Sequence, residues 1–279
     1  IASVTGYLEI ENSDAPSIDL SGLTDVADEL SIHDNGNLTD IDLSSLTDVG
    51  SYLYLYANND LVSVDLSALE TIDGSVTIQD HDDLETVSLD ALTSIGDSLT
   101  LYENDLLLDF EAPLLDEIGG SFEVYYHWSG GIQTISAPSL TSVTGDVYII
   151  YNYELTEVDL SGNLVASVSN GACDKIPKMR RLHLQGNQLS SYKGDIYSGM
   201  ENNTGLEHLD LSNNEINYLY PESFSLHPNL KWVNFASNRL SVFPTQFIRG
   251  LNLLEHLNLQ DNQISSLEDN YFANMVRLR

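Results

Sequence analysis

Carboxylates are the most frequent side chains of this sequence that could do chemistry, and they are concentrated in one half of it. The chain carries 43 Asp and Glu against 10 Lys and Arg, which gives a net charge of −33 at pH 7. Residues 1–174 hold 33 of the acidic residues and neither Lys nor Arg. Because phosphate binding requires a basic surface, this charge argues against nucleic acid and against anionic membrane surfaces as partners.

No arrangement of these residues matches a catalytic motif. The sequence has no G-x-S-x-G, H-E-x-x-H or C-x-x-C pattern and no glycine-rich phosphate loop. Adjacent carboxylates such as Asp82 and Asp83 are inevitable at this density, and the single cysteine, Cys173, cannot form an internal disulfide. We therefore predict that the chain is not an enzyme and has no metal site or cofactor. It contains no run of 18 or more apolar residues, so no membrane insertion is predicted within it.

One column of polar residues recurs about every 23 residues, between two apolar residues of a predicted strand: Asp19, Asp42, Asp65, Ser88, Glu111, Ser136 and Asp159. Stacked strands would bring like charges within about 4.8 Å of each other, which is unfavourable. The column is either a solvated acidic face or a stack that Ca²⁺ neutralises, since carboxylate oxygens are the preferred ligands of that ion. Neither an EF-hand loop nor the glycine-rich calcium nonapeptide is present.

The elements that position these residues are repeats. The segment 206–219 has the pattern L-x-x-L-x-L-x-x-N-x-I/L-x-x-L. Copies of its strand begin 24 to 27 residues apart, at Leu182, Leu209, Val233 and Leu257. This part resembles the typical leucine-rich repeat, including the convex Phe224 and Phe272. The resemblance implies a repeat solenoid, a horseshoe with a parallel sheet on its concave side and loops or short helical turns outside.

Residues 1–172 repeat with a shorter period of about 23. The clearest copy, residues 49–71, has two alternating segments, Leu53-x-Leu55 and Val64-x-Leu66, which predict two short strands per coil, two parallel sheets and little helix. This half resembles the receptor L-domain-like repeats of fungal cell-wall proteins and growth-factor receptor ectodomains. We predict an acidic β-solenoid over residues 1–172 and leucine-rich repeats over 173–279. Both ends fall inside a repeat, so a fragment of a longer chain is expected.

Asparagine recurs at one offset, three residues after the second apolar residue of a strand. Its side-chain amide can hydrogen-bond the backbone of neighbouring coils. In two acidic coils His81 and His127 occupy this slot, and we interpret them as substitutes for asparagine rather than as ligands or catalysts. The sequence predicts one structural ladder through both halves, and so one uninterrupted solenoid, from Asn35, Asn58, Asn104, Asn152, Asn187, Asn214, Asn238 and Asn262.

Tyrosine is concentrated on the exposed side of the predicted strands of the acidic half. Aromatic rings among carboxylates suit a cationic peptide or protein, or a glycan. The alternative is that tyrosine only fills a half-buried β-surface. The C-terminal half adds a polar concave set of His183, Gln185, Asp210, Asn234 and Asn258. The concave tyrosines are Tyr54, Tyr56, Tyr102, Tyr125 and Tyr148, with Tyr126, Trp128, Tyr151 and Tyr153 just beyond them.

Two N-glycosylation sequons, at Asn37 and Asn202, favour an extracellular or cell-surface location. The leading hypothesis is a non-catalytic recognition module, an ectodomain fragment that binds a protein, a peptide (a basic one is one option) or a glycan on its concave face. The alternative is a structural or adhesive acidic spacer, with stabilisation by Ca²⁺ as one version of it. An intracellular scaffold is a third option.

Overall fold

The computed structural model describes residues 2–128, 130–163, 165, 176–190, 205–219, 224, 227–243, 250–267, 271–272 and 275–279. These residues form 25 strands, numbered β1 to β25 along the chain, and all their pairings are parallel. No helix occurs among them. The predicted repeat solenoid of parallel strands is confirmed. The predicted domain boundary at 172/173 lies outside the described residues.

Each coil of the acidic half contributes three strands, one more than the sequence predicted. The additional strands have two residues each and form sheet 1, with β1 (Ser3–Val4), β4 (Asp25–Val26), β7 (Asp48–Val49), β10 (Thr71–Ile72), β13 (Ser94–Ile95), β16 (Glu117–Ile118) and β19 (Ser142–Val143). Two residues are too few to show an alternation in sequence. Sheet 2 has four-residue strands: β2 (Leu8–Glu11), β5 (Leu30–His33), β8 (Leu53–Tyr56), β11 (Val76–Gln79), β14 (Leu99–Tyr102), β17 (Phe122–Tyr125) and β20 (Val147–Ile150).

The third strand of each coil belongs to one of two further sheets. Sheet 3 contains β3 (Ser17–Asp19), β6 (Asp40–Asp42), β9 (Ser63–Asp65) and β12 (Thr86–Ser88). Sheet 4 begins in the fifth coil and continues into the C-terminal repeats, so the two halves of the chain share one sheet. Its strands are β15 (Asp109–Glu111), β18 (Thr134–Ser136), β21 (Glu157–Asp159), β22 (Arg181–His183), β23 (His208–Asp210), β24 (Trp232–Asn234) and β25 (His256–Asn258).

The core lies between the sheets and follows from the alternation of apolar residues. In β8, Leu53 and Leu55 are buried, while Tyr54 and Tyr56 are half-exposed. In β9 the middle residue, Val64, is the buried one. Each fully buried aliphatic side chain contributes about 1.5–3 kcal/mol, and stacking of the coils makes this burial continuous. Sheet 2 therefore presents the second and fourth residue of every strand on its outer surface.

The single asparagine ladder predicted from the sequence is in fact two ladders. The first follows sheet 2, where the Asn35 amide donates to Asn58 Oδ1 at 3.2 Å and Asn58 Nδ2 donates to the Ile32 carbonyl at 2.9 Å. The second follows sheet 4, where Asn187 Nδ2 donates to the Leu160 carbonyl at 2.8 Å. The two ladders therefore lie at the ends of different sheets.

The change of ladder occurs in the seventh coil, which has a buried asparagine after each of its two longer strands, although the side chain of the second, Asn163, makes no hydrogen bond to the described residues. Asn152 follows β20 of sheet 2, whereas Asn163 follows β21, which pairs with the strand preceding Asn187. The residue before each slot has a left-handed backbone, with φ of 57° at Tyr151 and 77° at Gly162. The predicted continuity from Asn152 to Asn187 is wrong, because the strand–asparagine pattern occurs twice in this coil and only the second copy stacks on the C-terminal repeats.

Candidate functional site

Six aromatic side chains form a continuous group where sheet 2 ends in coils five to seven. Tyr126 and Tyr151 stack with ring centroids 4.7 Å apart and planes 4° from parallel, and Trp128 stacks on Tyr153 at 5.4 Å. Trp128 is 47% exposed. The parallel register holds the rings in neighbouring coils at one height, so they form one surface rather than isolated contacts. We call this group the aromatic cluster: Tyr102, Tyr125, Tyr126, Trp128, Tyr151 and Tyr153.

Two tyrosines of the aromatic cluster have an unfavourable backbone conformation. Tyr126 and Tyr151 have φ of 63° and 57°, in the left-handed region. This region costs an L-residue about 1–2 kcal/mol and is best tolerated by Gly, Asn and Asp. Coils one, two and four place Asn12, Asp34 and Asp80 at the equivalent position. Coils six and seven thus hold aromatic rings where a small polar residue would be more stable.

The aromatic cluster lies against carboxylates. A hydrogen bond with Glu103 raises the pKa of Tyr102 to about 12. Burial, followed by a hydrogen bond with Asp80, raises the pKa of Glu103. The Trp128 amide donates to the Asp105 carboxylate at 2.8 Å. Within the described ranges, every ion pair to Lys or Arg involves Glu154 or a later residue, so the carboxylates beside the cluster have no cationic partner there.

The tyrosines predicted as one binding face are separated in space. Tyr102 and Tyr125 belong to the aromatic cluster. Tyr54 and Tyr56 form a second group with His33, with ring centroids 5.7 to 6.2 Å apart. Coil four lies between the two groups and has no Tyr, Phe or Trp. The Tyr148 hydroxyl donates to Asp146 at 3.2 Å, outside the aromatic cluster.

The residues just past the strands were noted in the sequence but not assigned to the site. Tyr126, Trp128, Tyr151 and Tyr153 immediately flank the ladder slot in coils six and seven. Two consecutive coils with aromatic residues on both sides of this slot were the available signal.

The polar set of the C-terminal repeats lies on sheet 4, a different sheet from the tyrosines. Its asparagine and aspartate side chains turn back onto their own backbone. Each accepts the amide of the residue two places further on, at 2.9 to 3.0 Å, which ends the strand as an Asx turn. These residues are Asp210, Asn234 and Asn258.

A ring stack on sheet 4 was not predicted. His208 and Trp232 are stacked 4.0 Å apart, and His183 lies 5.0 Å from His208. His183 Nε2 is also 3.5 Å from a carboxylate oxygen of Glu157. Gln185 lies half-buried in the turn after β22. Of the predicted polar set, only His183 therefore belongs to this stack.

Local turn geometry accounts for the acidic column. Hydrogen bonds from Ser21 and Ser67 lower the pKa of Asp19 and Asp65. The residues that the structure describes include no group of three or more His, Cys, Asp and Glu that could hold a metal ion. The aspartates of the column thus have a local structural role in these turns. Its aspartates accept the amide of the serine two places further on, at 3.0 to 3.1 Å: Asp19, Asp42, Asp65 and Asp159.

The two histidines in the first ladder are fully buried. The Asn58 amide donates to His81 Nδ1 at 3.1 Å, and His127 Nδ1 is 3.0 Å from Asn152 Oδ1. Burial lowers the pKa of both histidines to about 4. Neither side chain is accessible to a ligand, so both have the position and contacts of ladder residues.

One of the two sequons lies in the described part of the chain. Asn37 is exposed in the turn after β5. Asn202 lies outside the described residues. Modification at both asparagines stays a prediction.

Comparison with known proteins identifies the C-terminal repeats. A family model described as the leucine-rich repeat matches residues 228–279, and a second model of the same description matches residues 205–226. The matched segments contain β23, β24 and β25 of sheet 4. The chain is a leucine-rich repeat protein. The receptor L-domain resemblance of residues 1–172 stays a prediction.

Three relatives of this leucine-rich repeat protein each align with less than half of it. Leucine-rich repeat-containing G-protein coupled receptor 5 of Rattus norvegicus is 34% identical over 39% of the chain and 11% of its own length. Lumican of Coturnix japonica is 31% identical over 40% of the chain and 31% of its own length. Toll-like receptor 3 of Boselaphus tragocamelus is 28% identical over 46% of the chain and 14% of its own length. The aligned region spans less than a third of each relative. These relatives are secreted or cell-surface proteins, in agreement with the predicted extracellular or cell-surface location.

Solved structures of low identity also resemble the leucine-rich repeat protein. An internalin of Listeria monocytogenes is 17% identical, covers 93% of this chain and 66% of its own, and has a TM-score of 0.41. A chain of the Drosophila Toll–Spatzle complex is 14% identical, covers 93% of this chain and 44% of its own, and has a TM-score of 0.46. In the described part of the chain, no helix is long and apolar enough to cross a membrane.

Proposed function

We propose that this leucine-rich repeat protein is a non-catalytic recognition module that binds a protein partner through the aromatic cluster. The observation that carries the proposal is the stacked pair of Tyr126 and Tyr151, both held in the left-handed backbone region. The left-handed backbone recurs at this position in every acidic coil, so the fold sets the conformation, and what distinguishes coils six and seven is that a tyrosine occupies it. Residues in this region tend to lie at functional sites, and here two large rings are placed side by side at the surface.

The chemistry around the cluster favours a cationic partner. Ring faces attract Lys and Arg side chains, with about 0.5–1 kcal/mol at an exposed site and about 2 kcal/mol when water is excluded. The carboxylates of Glu103, Asp105 and Glu123 add charge attraction, and no Lys or Arg precedes residue 175 to compete for them. A neutral glycan could stack on the same rings and donate hydroxyl hydrogen bonds to the carboxylates, but it would gain no charge attraction from them.

A binding role fits what leucine-rich repeat relatives are named for. Two of them are receptors by name, leucine-rich repeat-containing G-protein coupled receptor 5 and Toll-like receptor 3. The matched repeats stack into a continuous sheet. Recognition through a surface requires only the fixed positions that such stacking provides.

The test is binding of the purified chain to arrays of basic peptides and of glycans, beside a variant that removes the rings without disturbing the fold. The variant is Tyr102→Gln, Tyr126→Asn and Trp128→Asn, because coils four, one and three have Gln79, Asn12 and Asn59 at these positions. Tyr52→Ser is the matched control, since Tyr52 is 49% exposed but outside the cluster. We expect selective binding to basic peptides that falls at least tenfold in the triple variant and is unchanged in the control. Unchanged affinity of the triple variant would exclude the cluster as the site, and binding to glycans alone would exclude the cationic partner.

A further inference from the structure

The layer formed by the third strands, sheets 3 and 4, is interrupted at one place. Sheet 3 ends at β12 and sheet 4 begins at β15, and no backbone pairing joins these two strands. The same two coils are paired in the other layers, β10 with β13 and β11 with β14. The coils are therefore stacked normally, and only their third strands are separated.

Both strands at this interruption lack the Asx turn found in coils one to three and seven; coil six lacks it as well, although its strand β18 pairs on both sides. The sequence Asp-x-Ser, which forms the Asx turn after β3, β6, β9 and β21, is reversed to Ser88-Leu89-Asp90 after β12. After β15 it is replaced by Glu111-Ala112-Pro113. Phe110 also replaces the valine or isoleucine at the middle of the other acidic third strands. The residues that end β12 thus differ from those that end β15.

The separation leaves backbone groups facing the gap. Because alternate residues of a parallel strand bond to opposite neighbours, the bond from the Leu66 amide to the Ser88 carbonyl directs Ser88 toward β9 and Val87 toward β15. By the same rule, the bond from the Ala112 amide to the Ser136 carbonyl directs Glu111 toward β12. The amides and carbonyls of Val87 and Glu111 thus face the gap, but β12 and β15 still have Cα atoms within 8 Å of each other. An inserted strand would need about 9.6 Å, so a ligand of this gap lies over it rather than between the strands.

The gap opens into a groove with an apolar floor. Its volume is about 550 Å³, and it is lined by residues 85–90 and by Leu106, Leu108, Asp109 and Glu111. Leu106 is 39% exposed and Leu108 44% exposed. Val87 is only partly buried, whereas Val64 at the same position of the preceding coil is fully buried. Exposed leucines on one side of a groove and a partly buried valine on the other are the expected lining of a docking site for apolar side chains.

Carboxylates lie at both ends of the groove. Glu85 and Asp109 are at the end where β12 and β15 begin, and Asp90 and Glu111 are at the end where these strands finish. All four side chains belong to exposed residues. A ligand with positive charge at both ends and apolar side chains between them would match this arrangement.

We propose that the groove between β12 and β15 binds an extended basic peptide segment of a partner protein. Apolar side chains of the peptide contact Leu106, Leu108 and Val87. Its flanking Lys or Arg side chains pair with the carboxylates at the two ends. This site is separate from the aromatic cluster, because the cluster follows sheet 2 and the groove lies in the layer of sheets 3 and 4.

The experiment uses a fluorescein-labelled heptapeptide, Arg-Arg-Leu-Gly-Leu-Arg-Arg, and the complete chain. Its two leucines are two residues apart and so lie on one face of an extended peptide. The groove variant is Leu106→Ser with Leu108→Ser. Its matched control is Val62→Ser, because Val62 is 41% exposed and occupies the position of Leu108 two coils earlier, beside paired strands. Fluorescence anisotropy measures Kd for each protein.

We expect the groove variant to raise Kd at least tenfold, and Val62→Ser and the triple variant of the aromatic cluster to change it less than twofold. A peptide with serine in place of leucine should bind the unchanged protein at least tenfold more weakly. Equal affinity of the groove variant and the unchanged protein would overturn the proposal. So would equal binding of the serine peptide, which would show attraction by charge alone. Loss of binding only in the aromatic-cluster variant would place the peptide there instead, and would leave the proposed function standing without the groove.

Discussion

Both halves of the molecule use asparagine side chains to hydrogen-bond neighbouring coils, but these asparagines follow different sheets. In the acidic half, the slot asparagine follows sheet 2, and its oxygen accepts the amide of the slot residue in the preceding coil, as Asn58 does from Asn35. In the C-terminal half, the slot asparagine follows sheet 4, and its oxygen accepts an amide two residues beyond the preceding slot, as Asn214 does from Leu189. The same local pattern can therefore support two different stacking geometries.

This difference determines which surfaces are adjacent. The C-terminal strands continue the third strands of the acidic coils, so Asp159 of the acidic column pairs with His183 of the C-terminal concave set. The tyrosines of sheet 2 have no counterpart in the C-terminal half among the described residues. A ligand on the aromatic cluster and a ligand on the C-terminal concave face would therefore occupy different faces of one solenoid.

The largest effect that the comparison predicts is on the stability of the second ladder. Asn238 Nδ2 donates to the carbonyls of Leu211, Phe235 and Ala236, and its oxygen accepts the Ile216 amide. Asn104 donates to the Ile78 carbonyl, and its oxygen is buried without a partner. Since each buried group left unpaired costs about 1–3 kcal/mol, we expect Asn238→Ala to lose about 3–4 kcal/mol and Asn104→Ala about 1–2 kcal/mol.

Urea denaturation followed by circular dichroism measures both losses. Asn59→Ala is the control, because Asn59 is an exposed asparagine next to the slot and should cost less than about 0.5 kcal/mol. Equal losses at Asn104 and Asn238 would contradict the difference between the ladders that their hydrogen bonds indicate.

The second effect concerns stability at acid pH. Stability should fall there because of a histidine in the first ladder, which the second ladder does not contain among its slot residues. Burial lowers the pKa of His81 to about 4, below its value of about 6.5 in an unfolded chain. Between pH 4 and pH 6.5 the unfolded state therefore binds a proton at His81 that the folded state does not bind. The contribution to stability is complete above pH 6.5 and is lost as the pH falls toward 4. For this histidine the loss between pH 7.5 and pH 5 is about 2 kcal/mol.

The variant His81→Asn should remove this loss, because asparagine fills the same slot in other coils and has no proton to bind. The measurement is the free energy of unfolding at pH 7.5 and at pH 5 for both proteins. The variant and the unchanged chain share all other titrating groups, so the difference between the two pH values isolates His81. An equal loss in both proteins would show that His81 is protonated without cost in the folded chain.

The sequence was sufficient for the solenoid and insufficient for the register between its halves. Strict alternation, as in Leu53-x-Leu55, fixes which side chains are buried, and repetition fixes how coils stack within each half. At the junction, Asn152 and Asn163 both follow an alternating apolar pair, so the pattern allows two ways to continue. Only hydrogen bonding between β21 and β22 decides between them, and that depends on the stacking of whole coils.

The candidate site was predicted in part for a related reason. Tyr102 and Tyr125 were found because they lie on strands, where alternation places their side chains outside. Tyr126 and Tyr151 were left out because a left-handed residue follows no such rule. The groove between β12 and β15 could not be predicted from apolar periodicity, since Val87 and Phe110 keep the pattern while their strands do not pair. The exchange of Asp-x-Ser for Ser88-x-Asp90 was a visible signal of that interruption.

The smallest effect tests whether the Asx turns hold the third strands in place. The double variant Ser88→Asp with Asp90→Ser restores the Asp-x-Ser order of the neighbouring coil without changing the net charge. Because aspartate forms this turn better than serine does, we expect it to stabilise the chain by about 0.5–1 kcal/mol. The reverse exchange, Asp65→Ser with Ser67→Asp, removes an existing turn and should destabilise by a similar amount. Thermal unfolding of the two variants beside the unchanged chain should therefore give melting temperatures on opposite sides of it. A rise for both exchanges, or a fall for both, would mean that the order of the two residues does not matter, and the missing turn would then not explain why β12 and β15 remain apart.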